Sequence, residues 1–246
     1  MKRRFIVLNI VAFSILLSLS SVPASASIIE AIDDNFVIHT QPNTVQSSTA
    51  ILAVKRDKYT ISPARKAWIS FDISSLGLTD EHRSVDAASF LITEASNGGH
   101  YTKKVLSFNV FGLTNEAGDY WSEDTLTWNN APGNNSTFHS VDPSQTTYLG
   151  SFSFFDNAAA VGSQLSISSN ALIDFLHADT NGLVTLIVTR TTTHEYPTHF
   201  ESSETGVAGI STPRLDVDLA AVPIPGAWLL LLSGLLGMVG VKKKFC

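Results

Sequence analysis

Cysteine is almost missing. The only one is Cys246, the last of 246 residues. A single thiol forms no intramolecular disulfide and no cysteine metal site, so the fold must be held by core burial. Positive charge is scarce away from the ends. The stretch 27–221 holds all 22 acidic residues but ten of the 16 basic ones, a net of −12. That balance repels nucleic acid. It also repels a polyanionic polysaccharide unless local basic residues or a divalent cation intervene. Hydrolase signatures are missing too. None of the seven histidines, His39, His82, His100, His139, His177, His194 and His199, sits in H-E-x-x-H. His194 and His199 are separated by Pro197 and cannot share a helical face. There is no G-x-S-x-G elbow and no fixed-period repeat. A non-catalytic protein is the expectation.

What is present is concentrated first at the ends. Lys2, Arg3 and Arg4 precede a mostly apolar run over 5–19, and Ala24-Ser25-Ala26 follows. This is a positive n-region, an h-region and a small-residue cleavage site, so residues 1–26 read as an export signal. At the other end, Val222, Pro223, Pro225 and Gly226 break the chain before an apolar segment over 227–241 and the stop Lys242-Lys243-Lys244. Fifteen residues make a helix of about 22 Å, short of the roughly 30 Å hydrocarbon core. The segment 222–246 therefore reads as a membrane-held helix, either a transient hold in a sorting signal or a permanent tail anchor, with the lysines cytoplasmic.

The middle, 27–221, reads as one all-β domain. Residues 69–73 alternate apolar and polar, 105–111 are rich in β-branched and aromatic residues, and 148–155 alternate aromatic with small. Residues 125–128 form a further predicted strand. The strongest, 183–189, has the composition of a strand buried on both faces, and 215–219 closes the domain. One helix is predicted over 171–177, capped by Ser169 or Asn170. Turn residues over 97–99 and 131–135 and at Asp142-Pro143 and Thr212-Pro213 punctuate the rest. Short strands with frequent turns predict an antiparallel sandwich of the jelly-roll type.

Three stretches line up within this domain. Residues 65–76 read Arg-Lys-Ala-Trp-Ile-Ser-Phe-Asp-Ile-Ser-Ser-Leu. Residues 120–132 read Tyr-Trp-Ser-Glu-Asp-Thr-Leu-Thr-Trp-Asn-Asn-Ala-Pro. Residues 200–204 read Phe-Glu-Ser-Ser-Glu, with Pro213-Arg214-Leu215 after them. Together they resemble the DNRLRE family of secreted, carbohydrate-binding-module-like β-sandwiches. That resemblance implies a polysaccharide ligand of the alginate type. The C-terminus resembles the PEP-CTERM class of sorting signals in its V-P-x-P-x-A variant. That implies an exosortase as processing partner and delivery to the cell surface or exopolysaccharide matrix.

Sugar rings stack on aromatic faces and are oriented by nearby polar groups. The candidates are Trp68, Tyr101, Tyr120 and Trp121, with Asn97, Lys103, Lys104 and Asn109 beside them. Trp128 and Phe71 lie in strand patterns and are expected in the core. Trp68 alternates away from Ile69, Phe71 and Ile73, which places it on the face of Ser70 and Asp72, with a surface role and a structural one both open. Trp121 has two readings, a sugar platform and a plug for one end of the sandwich. Asp33 and Asp34 at the domain start and Asp216 and Asp218 at its end are candidates to converge on a Ca²⁺ ion, with Glu123-Asp124 as a second acidic pair. Three functions are compatible with these features. The first is an exported protein that binds or organises polysaccharide. The second is a structural matrix protein without a glycan, and the third a polysaccharide-degrading enzyme.

Overall fold

The computed structural model describes residues 25–220, apart from 47–49, 59, 62, 79–82 and 97–98. The predicted export signal up to Ala24 and the sorting residues Val222, Pro223, Pro225 and Gly226 lie outside the described residues, as does the predicted C-terminal membrane helix. Among the described residues no helix is long and apolar enough to cross a membrane.

The described residues make ten strands and one α-helix: β1 Ser25–Ile38, β2 Ile51–Val54, β3 Arg65–Asp72, β4 Val85–Thr93, β5 Val105–Leu113, β6 Thr146–Phe155, β7 Gln164–Ser168, α1 Asn170–Ala178, β8 Leu183–Arg190, β9 Thr198–Glu201 and β10 Arg214–Leu219. Eight strands form one nearly closed sheet in the order β6-β5-β8-β3-β1-β10-β4-β7, while β2 and β9 form a separate pair. The β1–β3, β3–β8, β5–β8, β5–β6, β10–β4, β4–β7 and β2–β9 pairings are antiparallel. At the ends of the sheet, β6 approaches β7: a Cβ on Gly150 would stand 3.4 Å from the Ile167 side chain. The all-β expectation therefore holds. Ala26, one of the two small residues flanking the predicted cleavage point, lies within β1.

The central strands are buried on both faces, and this decides the site. Ile69, Phe71, Leu186 and Val188 point into the main core, with Phe90, Phe108, Phe152 and Phe200. Val37, Trp68 and Ile187 point the other way, into a second core closed by Leu126, Trp128, Ala131 and Val141. The long connection from β5 to β6 supplies this cover. It includes residues 125–128, which form turns rather than the predicted strand. The Asn130 carboxamide accounts for that difference: its Oδ1 accepts from the Thr127 N–H (2.7 Å) and its Nδ2 donates to Thr125 O (2.8 Å). The backbone polar groups are thus tied locally instead of to a ladder. Gly133 follows Pro132 at φ +65°, where a Cβ would stand 2.8 Å from Thr146, so this turn requires glycine.

The predicted helix forms at its predicted place. Ser169 is the cap, its Oγ accepting from the Leu172 N–H at 3.1 Å. Leu172, Phe175 and Leu176 bury its apolar stripe.

Candidate functional site

Positive charge, thin in the sequence, is gathered by the fold. Lys55 pairs with Arg65 across an isolated bridge at the end of β2 and β3. The charges of Arg65 and Arg190 also face Lys55, whose pKa burial lowers first of all, while Asp57 and Glu195 oppose that shift. Arg56 and Lys66 face His139, and Arg190 and Lys104 face His194. Each imidazole is held below its ordinary pKa, by burial first and by these cations next. The His194 N–H donates to Arg56 O at 3.0 Å, which fixes the β8–β9 connection against the β2 end. With Lys58 and Lys103, eight of the ten basic residues of 27–221 fall at this end.

A cleft of about 310 Å³ opens within the basic region. Arg56, Lys58, Ile61, Phe138, His139 and Thr193 line it, along with Asp57 and Thr60. Phe138 is 64% exposed, a flat apolar face in a polar setting. Beside the cleft, the His100 ring stacks on Tyr196 at 4.7 Å between centroids and 20° between planes, and His194 lies 5.8 Å from Tyr196. Aromatic faces next to cationic donors match what a sugar ring bearing a carboxylate presents: C–H edges to stack and an anion to pair. A second hollow of about 70 Å³, between α1 and the Glu116–Asp119 turn, has room for only a few water molecules.

The predicted ligand residues are dispersed. Trp68 is a correction: it is 0% exposed, and its Nε1 donates to Pro132 O at 2.9 Å. Its face was read rightly, but the 121–141 segment covers that face. Trp121 is half-buried against the second core, with Nε1 donating to Thr185 Oγ1 at 3.0 Å. Tyr120 is 70% exposed but sits beside Asp119, far along β8 from Arg190. Tyr101 and Lys103 belong to the loop before β5, at the basic end. The Lys103 N–H donates to Asp156 O, and its φ of +52° is the only positive value among described non-glycine residues. Asn109 lies on β5 opposite Thr189, and Asn97 is outside the described residues. Sequence reasoning missed Arg56, Lys58, Phe138 and Tyr196. The signal for the first two was legible: five of the ten basic residues fall within 55–66.

The acidic set is a second correction. Asp216 pairs with its neighbour Arg214 at 3.0 Å, and Asp218 is exposed on β10. The charges that face Asp33 and Asp34 are instead those of Glu123, Asp124 and Glu204. Burial, then the Glu204 charge, pushes Asp34 up to about 7 and Glu123 likewise to about 7. Among the described residues no group of three or more His, Cys, Asp or Glu side chains could hold a metal ion. This acidic group lies beside Ile69 and Ser70 on β3, roughly 13–17 Å along the strand from Arg65.

Comparison with known proteins gives one family. The model described as carbohydrate-binding module family 96 matches residues 25–209, which is 185 of the 246. No curated protein matches the chain.

Proposed function

The chain belongs to carbohydrate-binding module family 96, and from that premise we propose that its basic cleft holds an acidic polysaccharide without cleaving it. The observation that carries this reading is the segregation of charge. A body of net −12 sets Arg56 and Lys58 beside the exposed Phe138 in one cleft, with Lys104 facing the neighbouring His194. Guanidinium and ammonium groups pair with uronate carboxylates, and Phe138 and Tyr196 offer stacking faces. An acidic protein otherwise repels such a polymer, so a local basic cleft selects where it lies and in which orientation.

The export signal and the C-terminal segment extend the proposal. The chain is exported, held by its apolar tail at the membrane, processed by an exosortase, and delivered to the cell surface or exopolysaccharide matrix. DNRLRE-like and PEP-CTERM-like sequence motifs support this part. Mass spectrometry of the mature protein tests it: loss of residues beyond the 222–226 motif is expected, and an intact Cys246 end on all surface-located protein contradicts it.

Native electrophoresis of the full-length protein through gels containing alginate, pectate or a neutral glucan tests the ligand class. Retardation by the uronate polymers, weakening with salt, is expected. Retardation by the neutral glucan alone overturns the acidic assignment. Retardation by none supports the structural matrix role, and release of unsaturated or reducing ends revives the enzyme.

A further inference from the structure

The cleft leaves one broad surface unused, the outer face of β5 and β6. On β5, Leu106, Phe108 and Val110 are buried, and Val105, Ser107 and Asn109 alternate outward between them. On β6, Leu149 and Phe152 are buried, and Ser151, Ser153 and Phe155 are exposed. The register sets Val105 against Phe155, Ser107 against Ser153, Asn109 against Ser151 and Phe111 against Tyr148. An irregularity between Val110 and Phe111 shifts that register. It re-aims the side chains beyond it and brings Tyr148 onto the face of Phe155. Val105, Tyr148 and Phe155 are each more than half exposed. Large apolar side chains left open around polar ones mark a contact surface.

This face adjoins the cleft. Thr191 Oγ1 donates to Ser107 O at 3.0 Å, and Thr193, two residues on, lines the cleft. Lys103 and Lys104 stand exposed just before Val105, and Lys104 faces His194. Ser153 Oγ donates to Ser107 Oγ at 2.8 Å, which leaves the Ser107 hydroxyl hydrogen and lone pairs on both oxygens for a further partner.

We propose that the outer face of β5 and β6 continues the glycan site, so that an acidic polysaccharide leaving the basic cleft lies lengthwise along it, stacked on Phe155 at one end and on Tyr148 at the other.

This inference rests on the cleft as the polysaccharide site and extends it from a point of attachment to a track. The charge of the face suits such a polymer. In a body of net −12, neither β5 nor β6 carries a charged side chain, so no carboxylate opposes the chain there. Lys103 and Lys104 offer ammonium partners to uronates at the end nearest the cleft. From Val105 to Phe111 the strand runs six residues, about 20 Å, a length that takes several linked rings. Phe155 and Tyr148 supply the stacking faces, and the serine hydroxyls and the Asn109 amide between them meet sugar hydroxyls. A second copy of this chain fits less well, because protein interfaces put their apolar residues at the centre and here the polar row is central.

The experiment is calorimetric titration of the full-length protein with a uronate disaccharide and with a long uronate oligosaccharide. The long ligand is expected to bind at least about tenfold more tightly, since it engages cleft and face together. Tyr148→Ala and Phe155→Ala are each expected to weaken the long ligand by about fivefold and to leave the disaccharide unchanged. Ser151→Glu alters an exposed side chain without touching the core, and is expected to weaken only the long ligand by repelling its carboxylates. Equal affinity of the long ligand for all three variants and the unaltered protein overturns the track, while undiminished disaccharide binding keeps the cleft. Failure of both ligands to bind the unaltered protein removes the cleft and the track together. A doubled mass in light scattering that Phe155→Ala returns to the monomer value also overturns the track, by making the face a self-association surface.

Discussion

The ammonium of Lys66 sits 4.5 Å above the ring of Trp128. Both side chains are buried. Lys66 Nζ donates to Asn134 Oδ1 (2.8 Å), Asn135 O (2.9 Å) and Ser140 O (2.6 Å), while Trp128 Nε1 donates to Ser136 O (3.2 Å). One cation on β3 thereby organises the turn segment 128–140, which carries both the cover over Trp68 and the cleft residues Phe138 and His139. Burial pulls the Lys66 pKa down to about 7. Three acceptor oxygens oppose that pull, since only the protonated form supplies three donors.

Lys66→Met keeps the apolar stem but takes the ammonium donor from three oxygens, of which only Asn135 O keeps another, the Phe138 N–H at 3.4 Å. A loss of about 3 kcal/mol in unfolding free energy is expected by urea denaturation. Polysaccharide retention should fall with it, because the Phe138 loop loses its support. A loss below about 0.5 kcal/mol would show that the ion is not what holds this turn.

Trp68→Ala should cost about 4 kcal/mol, the cost of a large cavity in a closed core. Trp68→Phe should keep most of the packing and leave polysaccharide affinity unchanged. If Trp68→Phe instead abolishes binding at unchanged stability, the residue is a ligand platform after all.

Phe138→Ala removes an exposed ring and should leave the denaturation midpoint within experimental error. Removal of a sugar-stacking face should weaken polysaccharide binding by about five- to tenfold. Gel retardation equal to that of the unaltered protein would place the sugar elsewhere.

Glu94 gives a pH signature of its own. It is fully buried and neither oxygen has a partner among the described residues. Burial, and next the charge of Asp156, raises its pKa to about 7. A carboxyl raised in the folded state holds its proton longer than in the unfolded chain. Its contribution is therefore complete below about pH 4 and is lost as pH climbs through 7. In EDTA the protein should lose about 2 kcal/mol between pH 5 and pH 8 through this group. Glu94→Gln should flatten that part of the slope and be the more stable form at pH 8. Parallel pH profiles for the two proteins would mean that Glu94 titrates normally.

Much of the fold was legible in the residues themselves. Strands β5, β6, β8 and β10 follow apolar alternation or dense β-branching, and α1 follows a Ser cap and a 3.6-residue stripe. Strand β1 was not recognised, because Asp33, Asp34 and Asn35 interrupt it with polar groups. Their burial against Ser203 and Glu123 is a tertiary fact that no local pattern reports. The site was less legible for a related reason. Alternation placed Trp68 on the correct face, but only the folded 121–141 segment decides whether that face is wet. In the same way, the positive cluster at 55–66 could be counted in the sequence, while Phe138 and Tyr196 reach it through turns whose geometry depends on Lys66 and Arg190. Arg190 Nη1 donates to Tyr196 O at 2.9 Å.

Calorimetric titration of a uronate oligosaccharide into the full-length protein and into Arg56→Ala/Lys58→Ala bears most directly on the basic cleft as the polysaccharide site. Salt-sensitive binding that the double variant weakens by at least about tenfold at an unchanged melting temperature is the expected result. Equal affinity in both proteins would contradict it.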